Sequence, residues 1–593
     1  MKNNFVRVFR VYRIKFLRAL YKMDAPGDFY LLFLAAMVGI LTGFGAYLLN
    51  LIVELVRFTL FDQAGTSIIP TEISNYLRIL FPAIGGLAVG LLAYHFSPEV
   101  RGHGIPSVMD SVITKGGLIR KRVTILTSIN SGTTIGSGGS AGKEGPIVQI
   151  GAAIGSTIGQ LFHVSQQRMR VLVGCGTAAG LAAVFNAPIA GVFFTVEIIL
   201  ADFSLAVVTP IVISAVIATA MSHYLIGSSP LFAIPSYALN SPAEFPLYLL
   251  MGLLGGILSV IFIRTLYRVE DIFEEKLKAP VWLKPAIGGL LTGAIAFYFP
   301  ELYGFDDSAT HSALTGHTSV QLLGILIIAK ILATSFSLGS GGTGGLFTPS
   351  LFIGATFGAL FGTIAGSIFP SITAPAGAYA LVGMGVLVAG TIHAPLTALL
   401  IIFEVTTDYK IILPLMLATV TSTLVARWLE KDSIYTMRMS QFSRRAARGR
   451  DVDILQTHQI QTLIQTNIPR VYDNNTFDEI LNILLESSYS SFPVVNRENK
   501  LVGIITQRDL RPLLFDRDLA PLLLASDIMS DNVFVCTPGD TLADALNKME
   551  IDDFELLAVV DSNENMDYKG VVLKEQIIQK YRKENLFLTE TAE

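Results

Sequence analysis

Apolar residues run in long blocks through most of this chain. The blocks cover Leu31–Val56, Ile79–Phe96, Ser204–Ile226, Leu247–Ile263, Pro285–Phe299, Val320–Phe336 and Leu413–Ala426. Several approach the roughly 20 residues that carry a helix across a bilayer. Between Val123 and Ile263 only seven residues are charged. Near Tyr435 the pattern changes. Beyond it charges are frequent, and apolar stretches shorten to segments such as Phe492–Val495 and Leu501–Ile505. Short apolar runs alternating with helical patterns predict an α/β fold. The chain reads as an all-α polytopic membrane domain followed by a soluble α/β tail.

Both parts repeat internally. "GSGGSAGKEGP" starts at Gly136 and "GSGGTGGLFTP" at Gly339, an offset of 203. "PIVQIGAAIG" and "PSLFIGATFG" follow at the same offset, then "VLVGCG" at Val171 and "ALVGMG" at Ala380. "NAPIAGVFFTVE" at Asn186 and "HAPLTALLIIFE" at His393 lie 207 apart. Matching halves in a membrane protein predict structural symmetry, parallel or inverted. In the tail, "TFDEILNILLESSYSSFPVV" at Thr476 and "TLADALNKMEIDDFELLAVV" at Thr541 are offset by 65, each a helix and then a strand. A further strand follows each, at Leu501 and Tyr568.

The glycine segments carry the candidate chemistry. Pro146 and Pro349 stand where a helix can begin, because the first helical N–H has no intrahelical partner to lose. The apolar stretch from Pro146 to Gln160 has 15 residues. At about 1.5 Å per residue it reaches about 22 Å, short of a hydrocarbon core about 30 Å thick. A helix that starts at depth leaves non-helical backbone before it, which survives only inside protein or beside water. A helix start presents N–H groups and the positive dipole end, which favour an anion. Two such starts can hold an anion without a full fixed charge, so the ion can leave again. The glycines could serve tight helix packing alone, but packing leaves the pair Lys143-Glu144 unexplained.

Composition and charge refine this picture. The 593 residues are 51% hydrophobic and 15% charged, against about 25% charged in soluble domains. The first 22 residues carry seven Lys or Arg and no acid. No signal-peptide core or cleavage site is visible there. Arg438, Arg444, Arg445, Arg448 and Arg450 repeat the basic signal after the last apolar run. Positive flanks stay inside, so both termini are expected to be cytoplasmic, in a plasma or inner membrane. The net charge of −4 gives no sign of a nucleic-acid partner. Cys175 and Cys536 lie in separate parts, which argues against a disulfide framework. The eight His show no metal-ligand spacing, so no metal site is expected.

Two enzyme motifs come close. Walker A needs G-x-x-x-x-G-K-[ST]; Ser137 stands at the first glycine and Glu144 follows Lys143, so it fails. "GGSAG" at Gly138–Gly142 satisfies G-x-S-x-G. A serine hydrolase with Ser140 as nucleophile and His393 as base is the remote alternative. No strand pattern precedes Ser140, and the second half repeats the motif with Thr343.

"GHGIP" (Gly102–Pro106), "GKEGP" (Gly142–Pro146), "GLFTP" (Gly345–Pro349) and Tyr435, in that order, resemble the signature of the CLC chloride channel and transporter family. The resemblance spans about residues 31–435, and the tail resembles a tandem pair of CBS modules. It implies an inverted-repeat CLC-type membrane domain over 29–440, with halves at about 29–226 and 245–436. A basic N-terminal segment (1–28), a linker (441–460), a cytosolic CBS pair (461–585, modules at about 461–516 and 525–583) and a short tail (586–593) complete the chain. It also implies a homodimer in the lipid bilayer with one pathway for a small anion in each subunit. His103, Gly104, Ile105, Lys143, Gly145, Leu346, Phe347 and Tyr435 are the implied anion-binding residues, with chloride as the bound ion and no required cofactor. Glu144 is the implied gate, its carboxylate competing with the anion and leaving when protonated. An acid within a membrane segment is a functional candidate on physical grounds as well.

Two positions depart from the family pattern. His103 stands where many members have a Ser that donates to chloride. It either donates an imidazole N–H to the ion or leaves binding to the backbone. Ile198 stands where many proton-coupled members carry a relay acid. An isoleucine holds no proton, so the expectation is passive, gated conduction, with chloride/proton exchange as the alternative. A sensor whose membrane part is its output is a third reading. In the tail, Thr506 and Asp509 match a T-x-x-D pattern that resembles CBS contacts to the ribose of an adenine nucleotide; Leu573 and Gln576 stand at the second module's equivalents.

Overall fold

The structure is a computed structural model. It describes residues 28–62, 77–96, 104–227, 237, 239–304, 308–316, 318–406, 410–438, 458–487, 489, 491–510, 523–531, 533–551, 555–562 and 565–580. The basic N-terminal segment, His103, most of the linker and the last residues lie outside these. The chain divides into two units, Met1–Met439 and Ser440–Glu593.

The first half of the membrane unit contains α1 (Asp28–Arg57), α2 (Phe81–Phe96), α3 (Ile105–Thr114), α4 (Arg122–Gly136), α5 (Glu144–Phe162), α6 (Gln166–Phe185), α7 (Pro188–Phe194) and α8 (Leu205–Leu225). The second contains α9 (Phe245–Asp271), α10 (Lys284–Tyr298), α11 (Ser308–Thr315), α12 (Val320–Gly339), α13 (Phe347–Ile368), α14 (Ala376–Ile392), α15 (Pro395–Thr406) and α16 (Ile412–Leu429). Seven described helical stretches are long and apolar enough to cross a bilayer. Apolar side chains cover the outside, as on α16, where Leu413, Leu424 and Trp428 are exposed. Such a surface suits lipid or another apolar partner.

The inner helices α5, α6 and α14 are mostly buried, and α13 is buried over its first half. α5 packs on α6, and α13 on α14, where glycines meet backbone to backbone. A Cβ on Gly151 or Gly176 would overlap the other's carbonyl, and Gly354 and Gly383 exclude a side chain in the same way. In bilayers such small residues permit the close contact that holds helices together. This packing sets the internal register of the repeat. Gly151 and Gly354 are 203 apart, but their partners Gly176 and Gly383 are 207 apart. The likeness of "VLVGCG" and "ALVGMG", 209 apart, is therefore displaced by two residues from the structural equivalence.

The halves also exchange equivalent contacts. Ser140 N–H donates to Ser337 Oγ at 2.9 Å, and Thr343 N–H donates to Thr134 Oγ1 at 3.3 Å. Glu404 accepts from the N–H groups of Ile189 and Ala190 at 2.9 and 2.7 Å, at the start of α7. Glu197 accepts from the N–H groups of Leu396 and Thr397 at 3.4 and 2.8 Å, at the start of α15. Each carboxylate thus satisfies orphan donors of a short helix in the other half.

In the tail, β1 (Val471–Tyr472), β2 (Ser491–Val495) and β3 (Leu501–Thr506) form one sheet in that order. β4 (Val535–Cys536), β5 (Leu556–Val560) and β6 (Tyr568–Leu573) form the second. In each, the first pair is parallel and the second antiparallel. The helices Phe477–Glu486 and Leu542–Ile551 start at the expected offset of 65.

Candidate functional site

The two glycine segments meet in the middle of the membrane unit. Gly142 N–H donates to Gly345 O at 2.9 Å, and Gly345 N–H donates to Gly142 O at 2.7 Å. The bridge is antiparallel. It brings the starts of α5 and α13 together at buried residues: Glu144, Gly145, Leu346 and Phe347 are all closed to solvent.

The helices begin earlier than their prolines suggest. α5 starts at Glu144 and α13 at Phe347, so Pro146 and Pro349 occupy the third helical position. None of the first four N–H groups has an intrahelical partner, so proline is tolerated there too. α5 is 19 residues long, not 15, which is about 28 Å at 1.5 Å per residue. Its length therefore does not place its start at depth; the burial of its tip, paired with the other half, does.

Glu144 joins the halves chemically. Its Oε1 accepts from the N–H of Phe347 at 2.5 Å and of Thr348 at 3.0 Å. Its Oε2 accepts from Thr348 Oγ1 at 2.9 Å. The carboxylate thus lies on the amide tip of α13, where helix dipole and N–H groups hold a negative charge. Only glycine fits beside it: a Cβ on Gly142 or Gly345 would overlap the carboxyl group, and one on Gly345 would also lie 2.7 Å from Gly145 N. The Phe347 amide, expected to face the ion, is given to Glu144 here. Leu346 caps α13 and Lys143 caps α5, half-buried.

The first motif reaches the same place. Gly104 caps α3 with φ of 74°, in the left-handed region open to glycine, and a Cβ there would lie 2.9 Å from Gly145 O. Ile105 is buried beside it. Tyr435 is fully buried in the core cluster that holds Leu346 and Phe347. Its hydroxyl has no hydrogen-bond partner among the described residues. A buried hydroxyl without a partner is costly, and a dehydrated anion is a chemically suited acceptor for it. Ile198 is half-buried in the π-helical turn Thr195–Ile199.

Ser140 and His393 do not form a catalytic pair. Ser140 Oγ hydrogen-bonds with Thr334 Oγ1 at 3.0 Å, while His393 Nε2 has no partner among the described residues. In the tail, Thr506 and Asp509 bind each other: both the N–H and Oγ1 of Thr506 donate to Asp509 Oδ2 at 2.8 Å.

The sequence reading missed two contributors. Thr348 supplies two of the three bonds to Glu144. Lys330 on α12 is buried, donates to Leu302 O at 3.1 Å and lies 4.6 Å above the Phe352 ring on α13. An isolated lysine in an apolar run was the available signal for it.

A membrane unit whose halves turn amide-rich helix starts towards one buried point is an anion transport protein. The chain belongs to the voltage gated chloride channel family, the CLC family: the family model matches residues 85–427, and CBS domain models match 460–516 and 525–583. It is similar to "H(+)/Cl(-) exchange transporter ClcA" of Vibrio campbellii, 32% identical over 427 residues, which are 70% of this chain and 90% of that protein. It is also similar to "Chloride channel protein CLC-f" of Arabidopsis thaliana, 30% identical over 590 residues, which are 87% of this chain and 73% of that one. Among solved structures, a slow cyanobacterial Cl-/H+ antiporter matches with a TM-score of 0.64 at 28% identity, over 70% of this chain and 99% of that one.

Proposed function

We propose that this protein exchanges chloride, or a similar small anion, for protons across the membrane, with Glu144 as the group on which the two ions meet. The observation that carries the reading is the seat of the Glu144 carboxylate on the amides of Phe347 and Thr348. A carboxylate and an anion compete for such a seat. Protonation removes the carboxylate's charge and yields the seat, so the anion's passage is tied to a proton. Gly104, Ile105, Gly145, Leu346 and Tyr435 complete the anion's surroundings in this reading, with Lys143 beside them; His103, expected to join them, lies outside the described residues. The Vibrio campbellii relative is named an exchange transporter and the cyanobacterial neighbour an antiporter, which favours exchange over passive conduction. Passive conduction is the second reading, and Ile198 is the observation that favours it.

The working unit in this proposal is a homodimer with one pathway per subunit and its CBS pair in the cytoplasm. An adenine nucleotide at Thr506 and Asp509 would regulate it, after exchanging some of their mutual hydrogen bonds for ribose contacts. The test is flux into liposomes holding the purified protein under opposing chloride and pH gradients. Chloride leaving the vesicles is expected to draw protons in against their gradient. Chloride movement with no change in internal pH establishes passive conduction instead.

A further inference from the structure

An exchanger needs a proton acceptor on each face, and Ile198 leaves one face without the expected acid. Among the described residues, four Asp, Glu, Lys or Arg side chains are buried in the membrane unit: Glu144, Glu244, Glu270 and Lys330. Glu244 precedes α9 and Glu270 lies in its last turn. At 1.5 Å per residue they are about 39 Å apart, at opposite ends of the helix. Glu270 is on the face where the chain leaves for the CBS pair, because Arg438, just before that exit, lies 3.9 Å from its Oε1.

Glu270 lines a cavity of about 330 Å³. The other walls include Leu338–Gly341, which open the second glycine segment, and Lys284 and Arg438. That volume holds several waters. From Glu270 a line of polar groups runs inward. Tyr267 is one turn back on the same helix face, and its hydroxyl donates to Ile434 O at 2.6 Å. The next residue is Tyr435, fully buried in the core cluster that also holds Leu346 and Phe347 at the start of α13. Facing Glu270 are Tyr267 on its own helix, Arg438 and, around the cavity, Glu274 and Lys284; the α12 residues there are not titratable.

We propose that Glu270 is the proton acceptor on the CBS-bearing face, taking over the task that Ile198 cannot perform. The proposal rests on the exchange reading above. Glu270 takes one proton from water in the cavity and becomes a neutral acid. It then returns to carboxylate by giving that proton to water on the way past Tyr267 and Tyr435 to Glu144. No other group is consumed.

The test compares proton and chloride flux in liposomes for the wild type, Glu270→Gln, Glu274→Gln and Arg438→Gln. In a coupled wild type, Glu270→Gln is expected to lower the proton-to-chloride ratio at least tenfold, and Glu274→Gln to leave it within twofold. Arg438→Gln removes the neighbouring cation, so the pH profile of proton flux on the CBS side is expected to move to higher pH. That shift is read independently, even where Glu270→Gln does not fold. An unchanged ratio in Glu270→Gln, or an unmoved profile in Arg438→Gln, overturns the role of Glu270 and leaves exchange standing. A wild type that moves chloride without protons overturns both.

Discussion

Gly142 and Gly345 stand 203 residues apart and exchange both of their backbone hydrogen bonds. This bridge fixes the distance between two helix starts with no side chain involved, so the seat between them is as rigid as a two-residue sheet. It also explains why both positions are glycine: either Cβ would overlap the Glu144 carboxyl group.

Gly345→Ala forces that overlap and puts a methyl 2.7 Å from Gly145 N. Overpacking of this kind costs about 1–3 kcal/mol. Either the carboxylate is pushed off the amides or the bridge opens. Chloride turnover in liposomes is expected to change by at least tenfold, with a lower melting temperature in detergent.

Thr348→Val keeps the shape of the side chain and removes the hydroxyl that donates to Glu144 Oε2. A hydrogen bond to a charged group contributes about 1.5–3 kcal/mol. The docked carboxylate loses that stabilisation while the two amide bonds remain. The anion then competes better, and apparent chloride affinity is expected to rise roughly tenfold or more at neutral pH. Isothermal titration with chloride and bromide checks it.

The repeat was legible because the side chains that make the fold recur at fixed offsets: Gly142 with Gly345, Glu197 with Glu404. The two-residue error at Pro146 and Pro349 has a physical source, since proline fits any of the first helical positions and does not mark one. The bonds that join the halves are mostly backbone, so no side-chain pattern announces them. Thr348 was missed for another reason. It gains meaning only from Glu144, which the other half places beside it. His103 lies outside the described residues.

Glu404 and Glu197 cap short helices of the opposite half, and this makes them structural groups. Glu404→Gln removes the charge at the start of α7 and weakens the bonds to Ile189 and Ala190. A cap of this kind contributes about 1–2 kcal/mol. The expected result is a melting temperature lower by roughly 1–2 °C, with the proton-to-chloride ratio unchanged. Glu197→Gln is expected to behave alike, and the double variant to add the two losses. A changed ratio in Glu197→Gln would instead place that carboxylate on the proton's route.

Lys330 acts through space. Its ammonium lies over Phe352, five residues into α13, so about 7.5 Å from the seat along the helix axis and about 10 Å once the sideways offset of the ammonium is added. At an effective dielectric constant near 20, that distance gives an attraction of about 1.7 kcal/mol for an anion. Lys330→Met is expected to weaken chloride binding roughly tenfold and to leave its pH dependence in place, measured by the same titration.

The tail carries its own pH dependence in Asp540 and Lys548. Lys548 Nζ donates to Asp540 Oδ2 at 2.9 Å, and Thr537 donates to the same carboxylate through its N–H and hydroxyl. Burial works against both charges, yet the bonds from Lys548 and Thr537 hold the Asp540 carboxyl below its ordinary range, and Asp540 holds the Lys548 ammonium above its own. The Asp540 contribution is complete above the unfolded value near 3.9 and is lost as pH falls through the lower folded value. The Lys548 contribution is complete below about 10.4 and is lost as pH rises through the higher folded value. Both side chains are partly exposed, so screening limits the pair to less than about 1 kcal/mol. Lys548→Met is expected to shrink the loss of protection below about pH 4, read by hydrogen exchange at the helix Leu542–Ile551 in the full-length protein. An acid limb as steep as the wild type's would mean that other carboxylates set the tail's stability.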